Sequence, residues 1–491
     1  MAKTEQVFCG IDVGTQGARC VLVTRQGEVV GDGESSFHTP AVKGLPEGWF
    51  EQEPEDWLRA TATAVCGAVG KLKSPDRTLQ VGAVGVTSTS GTLCAVGDGG
   101  RPLGRAVMYN DSRSKAQAQA VQAAGAALAA SLGYRFNASF GLPKILWLKN
   151  HSPDLFAEAR HFISPTDFII GWLTGDWGRT DQTNALKFGY DLLDDRWPEF
   201  IEGDLGIPLE KMPRVQTSGQ KAGKLSPERA LELGLPARTP VAAGLTDGCA
   251  SQISSGAVAP GDFNTTIGTT LVVKGVTEKL LLDPKGRVYC HRHPDGWWLP
   301  GGASNTGAEC IAVEFDPGER ERLSSVALAH SPSGLLAYPL VGRGERFPFS
   351  HAGAEAFLIG KAGSREELFV ACLEGVACLE RLAFEVVEEL GARVGDLIYS
   401  AGGGAQNEAW LQIRADTLNR TVLRPAVVGG AMGAAITGAV MCGFNTITQA
   451  ARQMVRIERA TTPRADMIAA YNDKYARFRE ECRRRGYLSR A

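Results

Sequence analysis

Apolar runs of period two, broken by Gly-rich turns, open the chain, and longer runs of helical period follow them. Residues 7–13 and 18–24 are β-rich and flank Gly14-Thr15-Gln16-Gly17, which predicts a hairpin. Gly27 supplies a second turn into Val29-Val30. Trp57 to Val69 carries helical spacing, with Trp57, Leu58, Thr61 and Val65 on one face. Leu79 to Val86 reads as a short buried strand. It leads into the polar loop Thr87-Ser88-Thr89-Ser90-Gly91-Thr92, a strand at 93–96 and a turn at Asp98-Gly99-Gly100. Helices are expected over 114–132, 142–148 and 164–173, with loops and short helices over 194–240.

The pattern restarts in the second half. Val241 to Leu245 predicts a buried strand, 250–255 a helix, and Phe263 to Val273 a second hairpin around Gly268-Thr269-Thr270. Gly14 and Gly268 stand 268 − 14 = 254 positions apart, about half the chain. A long amphipathic helix is expected over 366–390. A strand at 397–401 runs into Gly402-Gly403-Gly404, and a helix follows with Trp410, Ile413 and Leu418. The closing helix, 465–485, is charged and reads as polar on most faces, packed on the surface. The order β-β-β-α-β with an antiparallel start is similar to the ribonuclease-H-like core of the actin, hexokinase and heat-shock ATPase superfamily.

Length and composition narrow the picture. At 491 residues the chain exceeds the size at which one core stops growing, so two domains are expected, 1–240 and 241–491. A formal charge of −2 gives no electrostatic footprint for nucleic acid or an anionic membrane. The eleven Cys are scattered without paired spacing, and the first residues lack an apolar leader core. Reduced thiols and a cytosolic location are the expectation. His291-Arg292-His293 is read as strand surface rather than a metal pair.

The candidate chemistry sits in the turns. Glycine lets backbone N–H groups approach an anion and Thr adds a hydroxyl, so two Gly-Thr hairpins, one per half, suit a polyphosphate, although either alone reads as an ordinary hairpin. Asp12 is a charge inside an apolar strand, costly unless it is paired or bound to a metal. It can hold Mg²⁺ through water or bond its own turn. Asp247 lies between a buried strand and a helix start. From the residues alone it is either a helix N-cap or an acceptor for the proton of a substrate hydroxyl. Tyr109-Asn110-Asp111-Ser112-Arg113 combines amide, carboxylate and guanidinium in one loop, which from the residues alone is either a solvated loop or a set suited to sugar hydroxyls. Neither a Rossmann fingerprint nor a P-loop is present.

Six motifs in order carry a resemblance: G-I-D-V-G-T at 10–15, N-D-S-R at 110–113, G-L-T-D-G at 244–248, I-G-T-T at 267–270, G-G-A-S-N at 301–305 and G-G-G-A-Q-N at 402–407. From about residue 7 to about residue 445 the chain resembles the FGGY carbohydrate kinases. The resemblance implies a two-lobe α/β fold with a deep interlobe cleft. Its 1–240 lobe would take the sugar and the γ-phosphate, and its 241–491 lobe the nucleotide.

It also implies ATP and Mg²⁺ as cofactors, a small sugar as partner, no nucleic acid or membrane, and a monomer or homodimer. Asp247 would be the general base and Asp12 the residue that orients Mg²⁺. Gly14, Thr15 and Gln16 would meet the γ-phosphate. The sugar side would comprise Asp12, Thr15, Gln16, Ser90, Gly91, Asn110, Asp111 and Asp247. Gly268, Thr269 and Thr270 would hold phosphate, and Asn305, Gly403, Gly404 and Asn407 adenosine.

Bacterial xylulokinases usually carry Gln-Met-His-Gly, and glycerol kinases Asn-Gln-Arg-Glu, where this chain has T-S-G-T at 89–92. Together with N-A-L-K at 184–187 and R-G-E-R-F-P at 343–348, this resembles the D-ribulokinase group, which points to D-ribulose. A xylulokinase or another polyol kinase is the same-fold alternative. An ATP-gated binding protein is the alternative of another class, but it has no need of a base beside sugar-binding loops. One departure from the family pattern is Gly429, where relatives usually place a Glu, on what the resemblance implies is the adenosine side.

Overall fold

A computed structural model describes residues 4–40, 42–72 and 78–489. The turn at Gly14–Gly17 folds β1 (Thr4–Val13) back on β2 (Gly17–Thr24), and β3 (Val29–Ser36) completes an antiparallel meander. β1 pairs in parallel on its other side with β4 (Thr78–Ser88). β5 (Lys221–Lys224) and β6 (Pro240–Ala242) extend the sheet, giving the order β5-β6-β4-β1-β2-β3, and β7 (Leu245–Thr246) pairs in parallel with the end of β4.

Alternation along β1 assigns its two faces. Cys9, Ile11 and Val13 join a core with Trp57, Ala60, Ala64 and Ala68 of the helix Pro54–Gly70, and with Phe168 and Ile169 of the helix Pro165–Thr174. The opposite face is covered by the helix Gly430–Ala439, more than 400 positions along the chain. That approach is possible because two strand residues lack a side chain. A Cβ on Gly10 would lie 1.9 Å from the Ala431 carbonyl oxygen, and one on Gly85 1.9 Å from that of Ala434.

Two compact units result. The first comprises Met1–Gly256, His291–Gly296 and Val427–Arg456, and the second Ala257–Cys290, Trp297–Ala426 and Ile457–Ala491. Where 240/241 was the expected boundary, the first unit continues to Gly256. The reason is that β7 pairs with β4 and that the helix Asp247–Ser255 packs on Gly430–Ala439.

In the second unit β8 (Phe263–Ile267) and β9 (Leu271–Gly275) form the second hairpin. β10 (Trp298–Ala303) pairs antiparallel with β9. β8 pairs in parallel with β11 (Leu397–Ala401), followed by β12 (Thr421–Pro425) and β13 (Ile457–Thr461). The expected long helix is Arg365–Glu389, started by Ser364, whose side chain accepts from the Glu367 N–H.

Three expectations change. The helix over 114–132 is two, Lys115–Ala124 and Ala126–Leu132, broken at Gly125 where Phe136 and Phe200 press in. The closing helix, Ile468–Arg484, is not a surface helix. Tyr471, Tyr475, Phe478 and Cys482 form a stripe at spacings of four, three and four that enters the core of the second unit. The segment around His291 and His293 is not strand surface either, since both rings are buried. Burial pushes His293 down to about 4, and its Nδ1 accepts the Asp295 N–H at 3.0 Å. Asp295 in turn accepts the N–H groups of Ile447 and Thr448.

Candidate active site

In the first unit the β1–β2 turn is held from beneath. Gly14 N–H donates to the Gly17 carbonyl at 2.9 Å, and Phe37 N–H to that of Gln16 at 2.9 Å. The buried Gln52 amide donates to the Thr15 carbonyl at 2.6 Å, and Gln52 is itself fixed by the Trp57 indole N–H at 3.0 Å. Carbonyls at the turn therefore face protein donors. A pocket of about 530 Å³ opens beside it, lined by Asp12, Gly14, Thr15, Gln16 and Arg19. A second pocket of about 610 Å³ shares Thr15 and Gln16 and adds Trp49, Phe50, Glu51, Met108 and Asn110.

Asp12 is the electrostatic centre of this side. Its Oδ1 is buried, with no hydrogen-bond partner among the described residues. Burial, reinforced by the charge of Asp247 and opposed by Arg19, pushes its carboxyl up to about 7. Asp247 is not the helix cap. Thr246 occupies the cap position and Asp247 is the first helical residue, its Oδ1 accepting the Gly248 N–H at 2.6 Å. Two carboxyl groups thus share one neighbourhood, and the charge of Asp247 adds to burial in disfavouring the ionised form of Asp12.

The sugar-loop residues divide. Asn110 is exposed on the second pocket. Asp111 is not free to meet a ligand: its Oδ2 accepts the Phe50 N–H at 2.6 Å, and both oxygens accept from Arg113, which stacks 3.8 Å from the Trp49 ring. Asp111 therefore shapes the loop that presents Asn110. Gly91 takes φ +84° against the Ser139 carbonyl, where a Cβ would sit 2.2 Å away. Ser90 Oγ is buried, with no hydrogen-bond partner among the described residues. The Ser90 carbonyl faces Lys187 Nζ at 3.4 Å.

In the second unit the segment Ser304–Glu309 braces the β8–β9 turn. Gly268 N–H donates to the Thr270 carbonyl at 3.0 Å, Ala308 N–H to that of Gly268 at 2.8 Å, and Glu309 N–H to that of Thr269 at 3.3 Å. Asn305 is fixed by its own N–H on Glu345 and its amide on the Gly344 carbonyl. A separate pocket of about 560 Å³ is lined by Glu321, Ser324, Gly403, Gln406, Asn407 and Glu408, among others. Asn407 caps the helix Glu408–Leu418 through Trp410 N–H and donates to Ser324 Oγ. Gly404 does not face this pocket; it is buried against Ile267.

Two residues escaped the sequence reading. Glu345, nearly fully buried, accepts from Ser304 Oγ, Asn305 N–H, Thr306 Oγ1 and Tyr338 OH. Its motif was visible, but its function as the acceptor for a loop 40 positions away was not. Gly430 was hidden in a run of small residues, and it lies against Asp12. Gly429, which caps the helix Gly430–Ala439 and donates to Ser254 Oγ at 3.0 Å, belongs with it in the first unit rather than with the pocket at Gly403.

Residues 7–254 match the N-terminal domain, and 263–442 the C-terminal domain, of the FGGY family of carbohydrate kinases. In sequence the chain is 29% identical over 476 residues to the xylulose kinase of Bacillus subtilis (strain 168), covering 94% of each. It is 25% identical over 490 residues to the gluconokinase of the same organism, covering 94% of this chain and 93% of that one. The xylulose kinase structure from Rhodospirillum rubrum superposes with a TM-score of 0.84 at 24% identity, covering 97% of this chain and 98% of that one. The fold is thus the two-domain actin/hexokinase type.

Proposed function

The chain belongs to the FGGY family of carbohydrate kinases, and on that premise we propose that it moves the γ-phosphoryl of ATP to the terminal hydroxyl of a ketopentose, with D-ribulose as its best acceptor. The observation that carries the catalytic reading is the placing of Asp12 and Asp247 at adjoining strand ends: their neighbours Val13 and Thr246 both pair with Ser88, and the charge of Asp247 acts on Asp12.

Phosphoryl transfer needs alignment and charge stabilisation more than covalent work by the protein. Asp247, at the first position of its helix, takes the proton of the attacking hydroxyl late in the transfer. Thr15 and Gln16 line both pockets of the first unit and bridge the phosphate and sugar sides. Asn110 supplies an amide to sugar hydroxyls, with the Trp49 and Phe50 segment as wall. Gly268, Thr269 and Thr270 hold phosphate, and the pocket at Gly403 and Asn407 takes the adenosine end.

Asp12 fits a hard divalent cation, because its buried, unpartnered Oδ1 is an acceptor-only oxygen beside a second carboxylate. Mg²⁺ held there through water would neutralise charge on the phosphates. Burial, and after it the charge of Asp247, disfavours the ionised form of Asp12, and a cation held there would favour it.

The choice of D-ribulose is supported by Thr89-Ser90-Gly91-Thr92 standing where xylulokinases carry Met-His. The names of the relatives favour D-xylulose as the second reading. An ATP-coupled assay with D-ribulose, D-xylulose, gluconate and glycerol tests both. A higher kcat/KM for D-xylulose overturns the acceptor, and turnover of gluconate or glycerol alone overturns the ketopentose class. Asp247→Asn tests the base, with an expected loss of about 10²–10⁴-fold in kcat. Melting should stay near normal, since Thr246 rather than Asp247 holds the cap position.

A further inference from the structure

Beneath the helix Asp247–Ser255, a single peptide unit is gripped at both ends by hydroxyls from distant parts of the chain. Its carbonyl, on Leu245, accepts from Thr87 Oγ1 at 2.8 Å, and its N–H, on Thr246, donates to Thr183 Oγ1 at 2.9 Å. The peptide stands immediately before Asp247. Thr87, Thr183, Leu245 and Thr246 are all essentially without solvent exposure.

The orientation of the Thr183 hydroxyl is determined. A hydroxyl has one hydrogen. That hydrogen goes to Asp181 Oδ1 at 2.6 Å, which leaves the oxygen lone pairs for Thr246 N–H. Asp181 is fixed in turn. The same Oδ1 accepts the N–H groups of Thr183 and Asn184 at 2.8 and 3.1 Å, and Oδ2 accepts the Asn184 amide at 2.6 Å. Every partner is buried, so no water competes for these groups. Asp181 holds Thr183, and Thr183 holds the backbone from which Asp247 projects.

We infer that Thr183, with Thr87 at the other end of the same peptide, is a positioning residue that sets where the Asp247 carboxylate stands. The inference rests on the reading of Asp247 as the base. A displacement on the order of 1 Å far from the reacting atoms can cost a large factor in rate, which gives such a clamp its leverage. Sheet pairing alone does not provide it, because β7 is only two residues long.

A double-mutant cycle separates positioning from mere support. The variants are Thr183→Val, which keeps the shape and removes the hydroxyl, Asp247→Asn, and the two combined. Thr183→Val should lower kcat about tenfold, leaving the KM for ATP within about twofold, while Thr183→Ser stays within about twofold of the parent in kcat. In the Asp247→Asn background Thr183→Val should change kcat by less than about twofold, because the group it positions is already gone. Thr87→Val is the second probe, with the same pattern expected if Thr183→Val does not fold. Equal losses in both backgrounds, or a parent-like kcat for Thr183→Val, overturn the inference. An Asp247→Asn enzyme at the parental rate instead overturns the base assignment, whatever Thr183→Val does.

Discussion

Gly430 lies flush against the Asp12 carboxyl group: a Cβ on residue 430 would stand 2.5 Å from both Cγ and Oδ2 of Asp12. Alanine is otherwise welcome there, since Gly430 opens a helix and its φ is not in the left-handed region. Gly430→Ala should therefore keep the fold, with about 0.4–1 kcal/mol of chain-entropy gain offsetting part of the contact strain. It should lower kcat/KM for ATP by about tenfold or more through displacement of Asp12. Steady-state kinetics beside a melting curve checks it, and a parent-like kcat/KM would show the contact to be slack.

Asp12 makes apo stability depend on pH. Its folded-state value of about 7 lies above the ordinary carboxyl value of 3.8, so the folded chain keeps a proton that the unfolded chain releases. That contribution is complete below 3.8, falls as pH rises through this window, and is lost above about 7. Asp12→Asn removes the ionisation. In the absence of nucleotide and cation the variant should melt higher than the parent at about pH 8 and converge with it toward about pH 4. Calorimetry across that range is the measurement. Parallel melting shifts at every pH would contradict it.

Glu345 gathers the loop that braces the second hairpin. Glu345→Ala leaves the hydroxyls of Ser304, Thr306 and Tyr338, and the Asn305 N–H, without their acceptor. The expected loss is about 2–4 kcal/mol of stability, together with a raised KM for ATP and a smaller change in the KM for sugar. Denaturant titration and the two KM values test this. A variant with normal stability, or with only its sugar KM altered, would disconnect Glu345 from the nucleotide side.

Arg414 and Glu380 form a bidentate ion pair at 2.7 and 2.8 Å with no side-chain exposure, and Arg414 also donates to Ser400 Oγ on β11. Glu380→Ala strands a buried guanidinium and should cost about 3–5 kcal/mol. Replacing both partners with Met should recover most of it, because an apolar pair needs no desolvation of charge. If the double variant is no more stable than Glu380→Ala, the pair has a further function at the sheet.

Much of the architecture was legible because its signals are local. The two Gly-Thr hairpins, the helix at 54–70 and the helix at 365–389 all follow from period and turn residues within a short window. The site split along the same line. Asp12, Thr15 and Asn110 line pockets, whereas Asp111 is taken up by Arg113, two positions on, and by Phe50, 61 positions upstream, a contact that no short window announces. The Thr183–Thr246 contact spans 63 positions, and no pattern in either segment announces it. The closing helix was misread because its buried stripe holds two tyrosines and a cysteine beside a single phenylalanine, and because the adjacent Lys474, buried in an ion pair with Glu374 of the helix Arg365–Glu389, counts as a surface charge until that partner is seen.

The late helix on the early sheet also governs when the first unit can exist during synthesis. β4 ends at Ser88 and its covering helix begins at Gly430, 430 − 88 = 342 positions later. At translation rates of about 5–20 residues per second, the glycine-bearing face of the sheet waits on the order of tens of seconds for its cover. A fragment ended at Gly256 would never receive it, so the unit that looks N-terminal in sequence is not an excisable module. The nascent chain must keep that face unpaired, or shielded by a chaperone, until nearly the whole protein has left the ribosome.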